Sequence, residues 1–499
     1  MDTLIARPVR IALPWIVGLA ALALAILSVW QLESMRSGLT ITHDRVGETP
    51  ITSYSNGAAG PPVVVAHGFA GSRQMMESFS LTLARAGYQV VAFDFEGHGR
   101  HAVPMSGDVN ALDGTTRLLV AQTREVVAHA SELSGQPVAV LGHSMASDIL
   151  VRTGLEDPAT GPIVAISMYS EAVTADAPKN LLIISGEYEP HLRDAARGAM
   201  SVLDAYASEG QTVTVGDVTR RAVAAPGVEH VGVLYSATAL TEARDWLNAS
   251  YEWSGTEPLH QTGPWVLGLL AALVALFWPL VVRFAGDVRA PETPISLKHF
   301  GAALVVPAVA APLIATQIPL TILPVLVADY LMLHLLIYGA LQLGLLWYFG
   351  KSIRGETVRP LAALAFVAWG LGVFGLALDH YGASFLPNFM RLGIIAVLAL
   401  GTVPFLVSDA MITDPASSPA WRRVVARLVL IASLVLAVAI KPSELFFLVI
   451  ILPVILLFFV VYGTMGRWIA ARSGPLSAGL ASGLILAWAL GVSFPLFQS

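Results

Sequence analysis

Apolar segments of membrane-spanning length restrict the folds open to this chain more than any other feature of its sequence. Residues 11–30 carry no charge, and at ~1.5 Å per helical residue such a segment can cross a ~30 Å hydrocarbon layer. Charged residues make up only 13% of the chain, whereas soluble proteins carry roughly 25%. We therefore expect a multi-pass membrane protein, with eight further spans at 264–283, 299–317, 322–349, 360–378, 390–408, 424–440, 443–463 and 475–496.

Two of these spans admit a second interpretation. The first could be a cleaved signal peptide, but it is longer than a typical signal-peptide core and no small-x-small pattern follows it before Glu33, so we predict a retained anchor. Pro319 and Pro324 leave the start of the third C-terminal span open, because the segment before Asp329 also fits a re-entrant piece. If the segment is re-entrant, the span begins near Asp329 and this residue lies at the outer interface. If the span is a straight helix, Asp329 lines a polar cavity or proton path with His334.

Positive charges flank alternate ends of the predicted spans and so indicate an orientation. With a cytoplasmic N-terminus, the inner segments contain Arg7, Arg10, Arg283, Arg289, Lys298, Lys351, Arg354, Arg359, Arg422, Arg423, Arg427, Arg467 and Arg472. The short outer loops contain only Arg391 and Lys441. Because cytoplasmic loops are enriched in Lys and Arg, we predict a cell (inner or plasma) membrane protein whose soluble part is extracytoplasmic.

This pattern divides the chain into three predicted parts. Residues 1–37 form a cytoplasmic tail and transmembrane anchor, residues 38–253 an extracytoplasmic soluble domain, and residues 254–499 an all-α membrane domain of about eight helices. In the soluble domain, apolar strand-like runs alternate with helical patterns, which predicts an α/β fold with a mostly parallel sheet covered by helices on both faces. The strands are expected at 39–43, 51–54, 62–66, 90–94, 138–141, 163–167, 181–185 and 221–224.

A serine lies at the end of one of these strands, within the sequence Gly142-His143-Ser144-Met145-Ala146. The pattern G-x-S-x-G forms a sharp strand-to-helix turn that exposes the serine hydroxyl as a nucleophile. Here alanine replaces the last glycine and is still small enough for close packing. The sequence therefore indicates a nucleophile elbow with Ser144 at its apex.

Two further loops carry a resemblance to a known family. His67-Gly68-Phe69-Ala70-Gly71-Ser72 follows the first long strand and resembles the oxyanion loop of the α/β-hydrolase superfamily. Asp94-Phe95-Glu96-Gly97-His98-Gly99-Arg100 resembles the D-x-x-G-H-G loop of its esterase-like members. Together with the elbow, an acid loop and a late histidine, these motifs make residues 38–253 similar to an esterase- or lipase-like α/β-hydrolase.

The resemblance implies roles for three residues in the order serine, acid, histidine. Ser144 needs a base to take its proton, and the base needs a carboxylate to hold its tautomer. His230 has the position of the family's base, just before the last helix, while His143 is expected to pack beneath the nucleophile. Glu189, three residues after the glycine that ends a strand, has the position of the acid. Glu187 and Asp194 are the alternative acids.

The remaining predictions concern the oxyanion hole and the substrate. The backbone N–H groups of Phe69 and Met145 are the expected oxyanion donors. Only residues 168–180 separate two strands where guarded relatives insert a cap, so we expect an open site that faces the bilayer or the membrane domain. The sequence Asp379-His380-Tyr381 is expected on an outer loop exposed to solvent, or as a cover for the site.

The sequence thus predicts a membrane serine hydrolase that cleaves ester-like, lipid or lipid-linked acyl substrates through an acyl-enzyme. The alternatives are an acyltransferase with the same triad, and a transporter or flippase-like protein whose soluble domain is not catalytic. The chain has no cysteine and a net charge of −6, which excludes disulfides and thiolate metal sites and argues against a nucleic-acid partner. No cofactor or metal is implied; membrane lipids are the expected partners.

Overall fold

A computed structural model describes residues 2–108, 112–351 and 353–498. Between the first and second long apolar helices, the chain forms a nine-stranded sheet of order β1-β2-β4-β3-β5-β6-β7-β9-β8. The six strands from β4 to β9 in this order run parallel, whereas β1, β2 and β8 pair antiparallel. The strands are β1 Thr40–Val46, β2 Thr49–Ser55, β3 Pro62–Ala66, β4 Gln89–Phe93, β5 Val138–His143, β6 Thr160–Ile166, β7 Asn180–Gly186, β8 Thr212–Val215 and β9 Val218–Ala225.

Helices cover both faces of this sheet, as predicted for an α/β fold. The apolar side chains of the central strands are fully buried in two clusters, one on each face, because a parallel sheet has no face open to water. The helices are α2 Glu77–Arg85, α3 Arg117–Ser131, α4 Met145–Glu156, α5 Pro190–Ser201 and α6 Ala237–Tyr251; α1 precedes the sheet as Asp2–Arg36. This arrangement is the α/β-hydrolase fold expected from the motifs.

The structure differs from the sequence prediction at two elements of this domain. The edge strand β8 was not expected, because its side chains are largely exposed and give no buried alternation. The helical pattern of residues 73–86 divides into a 3₁₀ turn, Arg73–Met76, and α2.

Within the described residues, nine helices are long and apolar enough to cross a membrane, and they suggest a multi-pass membrane protein. After α1 these are α7 Gly263–Phe284, α8 Leu297–Ala315, α9 Ala328–Tyr348, a span Pro360–Tyr381, α12 Phe389–Ile412, α13 Ala420–Ile440, α15 Phe447–Ser473 and α16 Pro475–Ser493. The span Pro360–Tyr381 consists of α10 Pro360–Val367, a π-helical segment Ala368–Phe374 and α11 Gly375–Tyr381, and the short α14 is Pro442–Leu445.

The third C-terminal span begins later than its predicted start at residue 322. It begins at Ala328, so Asp329 lies in the first turn of α9. The Asp329 carboxylate accepts hydrogen bonds from the backbone N–H groups of Ile322 and Leu323, at 2.9 and 3.0 Å. The carboxylate therefore closes the turn before the helix, which agrees with the interfacial interpretation.

The interpretation of Asp379 as part of a loop exposed to solvent is wrong. Helix α11 extends to Tyr381, and Asp379 is buried near its end. Its carboxylate accepts hydrogen bonds from the N–H groups of Phe385 and Leu386 and pairs with Arg100 of the sheet domain, with 2.5 Å between Arg100 Nη2 and Asp379 Oδ2. Contact between the two domains covers this segment, and the sequence carried no signal for that contact.

Candidate active site

Ser144 occupies a sharp turn between β5 and α4. Its backbone has φ 54° and ψ −118°, a conformation that costs a non-glycine residue about 1–3 kcal/mol and is found where function requires it. Close packing holds the turn: a Cβ on Gly142 would lie 2.6 Å from Leu150 Cδ1 and 2.9 Å from Ala146 Cβ. The small residues of the motif therefore allow the strand and helix to meet while Ser144 projects from the apex.

The structure brings the three predicted residues of the triad together. His230 Nε2 lies 3.0 Å from Ser144 Oγ, and His230 Nδ1 lies 2.5 Å from Glu189 Oε1. His230 belongs to the connection between β9 and α6, and Glu189 is the residue before α5. All three side chains thus come from loops at the carboxyl ends of parallel strands, which share one edge of the sheet.

Glu189 is buried and held by two donors besides His230. Its Oε2 accepts hydrogen bonds from Ser167 Oγ at 2.8 Å and from the Gly186 N–H at 2.6 Å. Burial raises the pKa of Glu189, but the hydrogen bonds from His230, Gly186 and Ser167 outweigh that effect and hold the pKa below its ordinary value. The side chain is therefore ionised at neutral pH, and it favours a proton on His230 Nδ1 and a free lone pair on Nε2.

The two alternative acids lie elsewhere. Glu187 Oε2 accepts a hydrogen bond from the Gly227 N–H at 2.7 Å, and Asp194 pairs with Arg197 on the surface of α5. Neither carboxylate contacts His230 in the part of the chain that the structure describes. Ser167, which orients Glu189, was not identified from the sequence; its position directly after β6 is the only signal that could have indicated it.

The other histidines support loops around the site. His143 Nε2 donates to the carbonyl oxygen of His230 at 2.8 Å, and burial together with the neighbouring His230 lowers the pKa of His143 to about 4. His67 Nε2 accepts from the Phe95 N–H at 3.1 Å, and His98 Nδ1 lies 2.8 Å from the Glu96 carbonyl oxygen. These contacts agree with the expectation that His143 packs beneath the nucleophile, and they place His67 and His98 in hydrogen bonds that order loops.

Two backbone N–H groups flank the nucleophile. Met145 is the first residue of α4, where N–H groups have no acceptor within the helix and the helix dipole is positive. The oxyanion loop, residues 67–72, brings Phe69 beside the elbow: a Cβ on Gly68 would lie 3.0 Å from Ser144 Cβ. Within the described residues, neither the Phe69 nor the Met145 N–H donates to a backbone carbonyl outside the regular helices and strands. Both are therefore open to an oxygen ligand.

Within the described residues the site has no inserted cap: the connection between β6 and β7 contains no helix or strand, and the His230 side chain is 43% exposed. A search of the described residues finds no group of three or more His, Asp or Glu side chains that could hold a metal ion. The arrangement brings together a serine hydroxyl, an imidazole and two backbone N–H groups, the kinds of group that acyl transfer requires.

Comparisons with known proteins find a matching family model and similar solved structures. Residues 59–209 match the family model described as serine aminopeptidase, S33. Similar solved structures include a predicted CIB-like hydrolase from Thermoplasma acidophilum, with 16% identity and a TM-score of 0.33 over 42% of this chain and 100% of that one. A bacterial membrane phospholipase A shows 14% identity and a TM-score of 0.33 over 49% and 95% of the two chains.

A third similar structure is a proline iminopeptidase-related protein from Thermus thermophilus, with 15% identity and a TM-score of 0.32 over 43% of this chain and 99% of that one. A comparison with curated protein sequences finds no match. The family match, together with the sheet and the elbow, supports a hydrolase domain.

Proposed function

We propose that this protein is a serine hydrolase that cleaves ester bonds of lipid or lipid-linked acyl substrates. The observation that carries the proposal is the hydrogen-bonded series Ser144 Oγ, His230 Nε2, His230 Nδ1 and Glu189 Oε1, with separations of 3.0 and 2.5 Å. A serine hydroxyl is unreactive unless a base accepts its proton. This series supplies the base with a free lone pair and a carboxylate that stabilises its charged form.

The reaction then follows in two balanced steps. Ser144 Oγ attacks the ester carbonyl carbon while His230 Nε2 takes its proton, and the N–H groups of Phe69 and Met145 stabilise the oxyanion. When the carbon–oxygen bond breaks, the imidazolium returns its proton to the leaving alcohol and an acyl-enzyme remains. Water then loses a proton to His230 Nε2 and attacks the acyl-enzyme. The carboxylic acid leaves as the proton returns to Ser144.

The relation of the site to the membrane domain supports a lipidic substrate. The site has no inserted cap, and the oxyanion loop contacts the membrane domain directly: Ser72 Oγ accepts a hydrogen bond from the Ser384 N–H at 3.0 Å. An ester that resides in the bilayer can therefore reach the triad without leaving the vicinity of the membrane. We expect long-chain esters in bilayers to be better substrates than short, water-soluble ones.

Charge and connectivity support an extracytoplasmic position of the hydrolase domain. Inner connections contain most of the flanking cations, whereas the outer connections 316–327 and 382–388 contain no Lys or Arg. An odd number of spans also brings the C-terminus to the side of the soluble domain, which agrees with the backbone bridge between Met105 and Phe497. Protease added to intact spheroplasts should cut residues 38–253; protection of this region would reject the orientation.

A fluorophosphonate probe tests the reaction, because it forms a covalent bond only with an activated serine. The wild-type protein should be labelled, whereas Ser144→Ala and His230→Ala should not. Ser201→Ala and His191→Ala, on the exposed surface of α5, are matched controls and should be labelled like the wild type. A folded wild-type protein that takes no label and hydrolyses no ester would contradict the proposed function.

A further inference from the structure

The oxyanion loop of the hydrolase domain contacts two aromatic side chains of the membrane domain. The Phe69 ring centroid lies 5.5 Å from that of Phe447, the first residue of α15, and 6.5 Å from that of Phe497 near the C-terminus. On its other side the Phe69 ring meets His98 edge to face at 5.5 Å. The side chain of the residue that offers an oxyanion N–H is thus held between the two domains.

The C-terminal tail, residues 494–498, joins the hydrolase domain by backbone hydrogen bonds. The Leu496 N–H donates to the Gly97 carbonyl at 2.9 Å, and the Leu496 carbonyl accepts from the Met105 N–H at 2.8 Å. The Gln498 N–H donates to the Met105 carbonyl at 2.7 Å. Phe497 is only 3% exposed and packs in the same apolar cluster as the strands behind the elbow. The Phe497 side chain is therefore part of the hydrolase core, while the Phe497 N–H donates to the Pro324 carbonyl of the membrane domain at 2.7 Å.

A buried arginine fixes the base of this tail. Arg391 of α12 is 1% exposed, and its Nη1 donates to the carbonyls of Gly491 at 3.0 Å and Phe494 at 2.6 Å. Its Nη2 donates to the Gly97 carbonyl of the hydrolase domain at 3.0 Å. Because the carbonyls of a helix C-terminus carry partial negative charge, the end of α16 stabilises this cation. One side chain thus joins α12, α16 and the loop that the tail contacts.

The oxyanion loop needs such support. Ala70 has φ 57°, an uncommon conformation for a residue with a side chain, and the loop's internal backbone contact is a single turn from the Gly71 N–H to the Gly68 carbonyl at 3.0 Å. An oxyanion donor is effective only when it lies within about 2.7–3.1 Å of the developing charge. A loop held by few internal bonds depends on its packing to keep that position.

We propose that Phe447 and Phe497 are positioning residues that hold the Phe69 N–H in the oxyanion hole, so that the membrane domain completes the active site. This inference rests on the proposed function. Truncation of either ring frees Phe69 and weakens one of two oxyanion donors. Because loss of one such donor lowers kcat about 10²–10³-fold, partial misplacement should lower kcat by about tenfold or more.

The test compares Phe447→Ala and Phe497→Ala in the full-length, purified protein. Phe389, the first residue of α12, is 92% exposed, and Phe389→Ala is the matched control. Turnover of p-nitrophenyl acetate and of a long-chain p-nitrophenyl ester gives kcat and KM separately. We expect kcat to fall by the same factor for both esters, KM to change less than about twofold, and the leucine variants at both positions to recover most of the activity.

Three results would overturn this inference. The first is unchanged kcat in both alanine variants. The second is a loss confined to the long-chain ester, since that would make the two rings the wall of an acyl-chain site. The third is an equal loss in Phe389→Ala. Labelling of Ser144 in the wild-type protein separates these results from a failure of the proposed function, and a thermal melt of each variant identifies any that does not fold.

An independent observation concerns a cavity in the membrane domain. The cavity is a depression open to solvent that lies among α12, α13, α15 and α16, near the ends remote from the hydrolase domain, and its empty space of about 440 Å³ includes the solvent at its mouth. Its apolar wall includes Phe458, Phe459, Gly463 and Gly466, and its polar lining includes Asp409, Thr413, Arg423, Arg427, Arg467 and Ser482. The glycines leave room between the helices.

The charges in this cavity do not balance. Arg427 Nη2 lies 2.6 Å from Asp409 Oδ2, and its guanidinium lies 4.7 Å from the ring centroid of Phe459. Within the described residues, Arg423 and Arg467 have no carboxylate within 4.0 Å. Three cations and one anion leave a surplus of two positive charges around this opening, where Arg467 is exposed and Arg423 is half-buried.

We infer that this cavity binds a phosphate-bearing anion between Arg423 and Arg467. Guanidinium groups bind phosphate oxygens in pairs, and basic pockets between spans at the inner side of a membrane bind anionic lipid headgroups. Asp409 pairs with the third arginine, Arg427, so one phosphate diester, which carries a single negative charge, neutralises half of the surplus.

The test measures the melting temperature of the full protein with added phosphatidylglycerol, phosphatidylcholine or inorganic phosphate. Phosphatidylglycerol should raise the melting temperature of the wild type, and the double variant Arg423→Gln, Arg467→Gln should lose this effect. The double variant Arg283→Gln, Lys298→Gln removes the same charge from the same side and should retain it. Equal stabilisation by inorganic phosphate identifies a free anion as the ligand. The inference is wrong if both double variants respond alike.

Discussion

Replacing Glu189 by glutamine should remove most of the activity while the fold stays intact. Oε2 of Glu189 already accepts two hydrogen bonds, from Ser167 Oγ at 2.8 Å and from the Gly186 N–H at 2.6 Å. The amide oxygen of glutamine must take this place, because an NH₂ group there would face two donors. The NH₂ group then faces His230 Nδ1, which must become the acceptor. The proton moves to Nε2, and His230 can no longer accept the proton of Ser144.

The magnitude follows from the loss of the base. A histidine held in the wrong tautomer lowers kcat by about 10⁴-fold, which corresponds to about 5.4 kcal/mol of activation free energy at ~1.36 kcal/mol per factor of ten. The assay is ester turnover at neutral pH, with labelling by a fluorophosphonate as a second readout. Glu187→Gln is the matched control and should stay within about twofold of wild type, because its carboxylate contacts Gly227 and not His230. A Glu189→Gln variant within tenfold of wild type would refute this reasoning.

Three further predictions concern the elbow and its surroundings. The unfolded chain protonates His143 at its ordinary pKa of 6.5, whereas the folded protein does so only at a pKa of about 4. The free energy of unfolding should therefore rise with pH between these values, and His143→Gln should reduce the dependence of the melting temperature on pH in that range. Gly142→Ala places a Cβ 2.6 Å from Leu150 Cδ1 and should lower the free energy of unfolding by about 1–3 kcal/mol, as measured by urea denaturation. Gly68→Ala places a Cβ 3.0 Å from Ser144 Cβ. The loss of kcat should exceed what any accompanying fall in melting temperature accounts for.

The sequence predicted which residues come together in the candidate site better than it predicted their surroundings. Ser144 lies in a sharp turn with small neighbours, and His230 lies in a loop after the last strand. Local chain geometry imposes both patterns, so each residue could be recognised from its own stretch of sequence. Ser167 was missed because its role depends on the distance between two loops. Asp379 was misinterpreted for a similar reason: the contact with Arg100 that buries it joins segments 279 positions apart, and no periodicity in either segment encodes that contact.

The loop at residues 94–105 illustrates how one motif serves two purposes in this chain. Asp94 accepts hydrogen bonds from the N–H groups of Arg73, at 2.8 Å, and Arg100, at 3.0 Å, and thereby orders the loop beside the sheet. The same loop then offers the Gly97 carbonyl to Arg391 and the backbone of Met105 to the C-terminal tail. A landmark of the hydrolase fold is thus also the place where the membrane domain attaches.

This attachment predicts that the hydrolase domain is unstable when separated from the rest of the chain. Residues 38–253 alone lack Phe497, whose side chain is buried among those of the sheet domain. Loss of a buried phenylalanine side chain costs about 3–5 kcal/mol, a large part of the about 5–15 kcal/mol that stabilises a typical domain. Urea denaturation should show the isolated domain to be less stable than the same domain carrying residues 494–498 on a flexible linker. Equal midpoints for the two proteins would mean that the tail only lies on the hydrolase surface, and the contact with Phe69 would then lose its significance for catalysis.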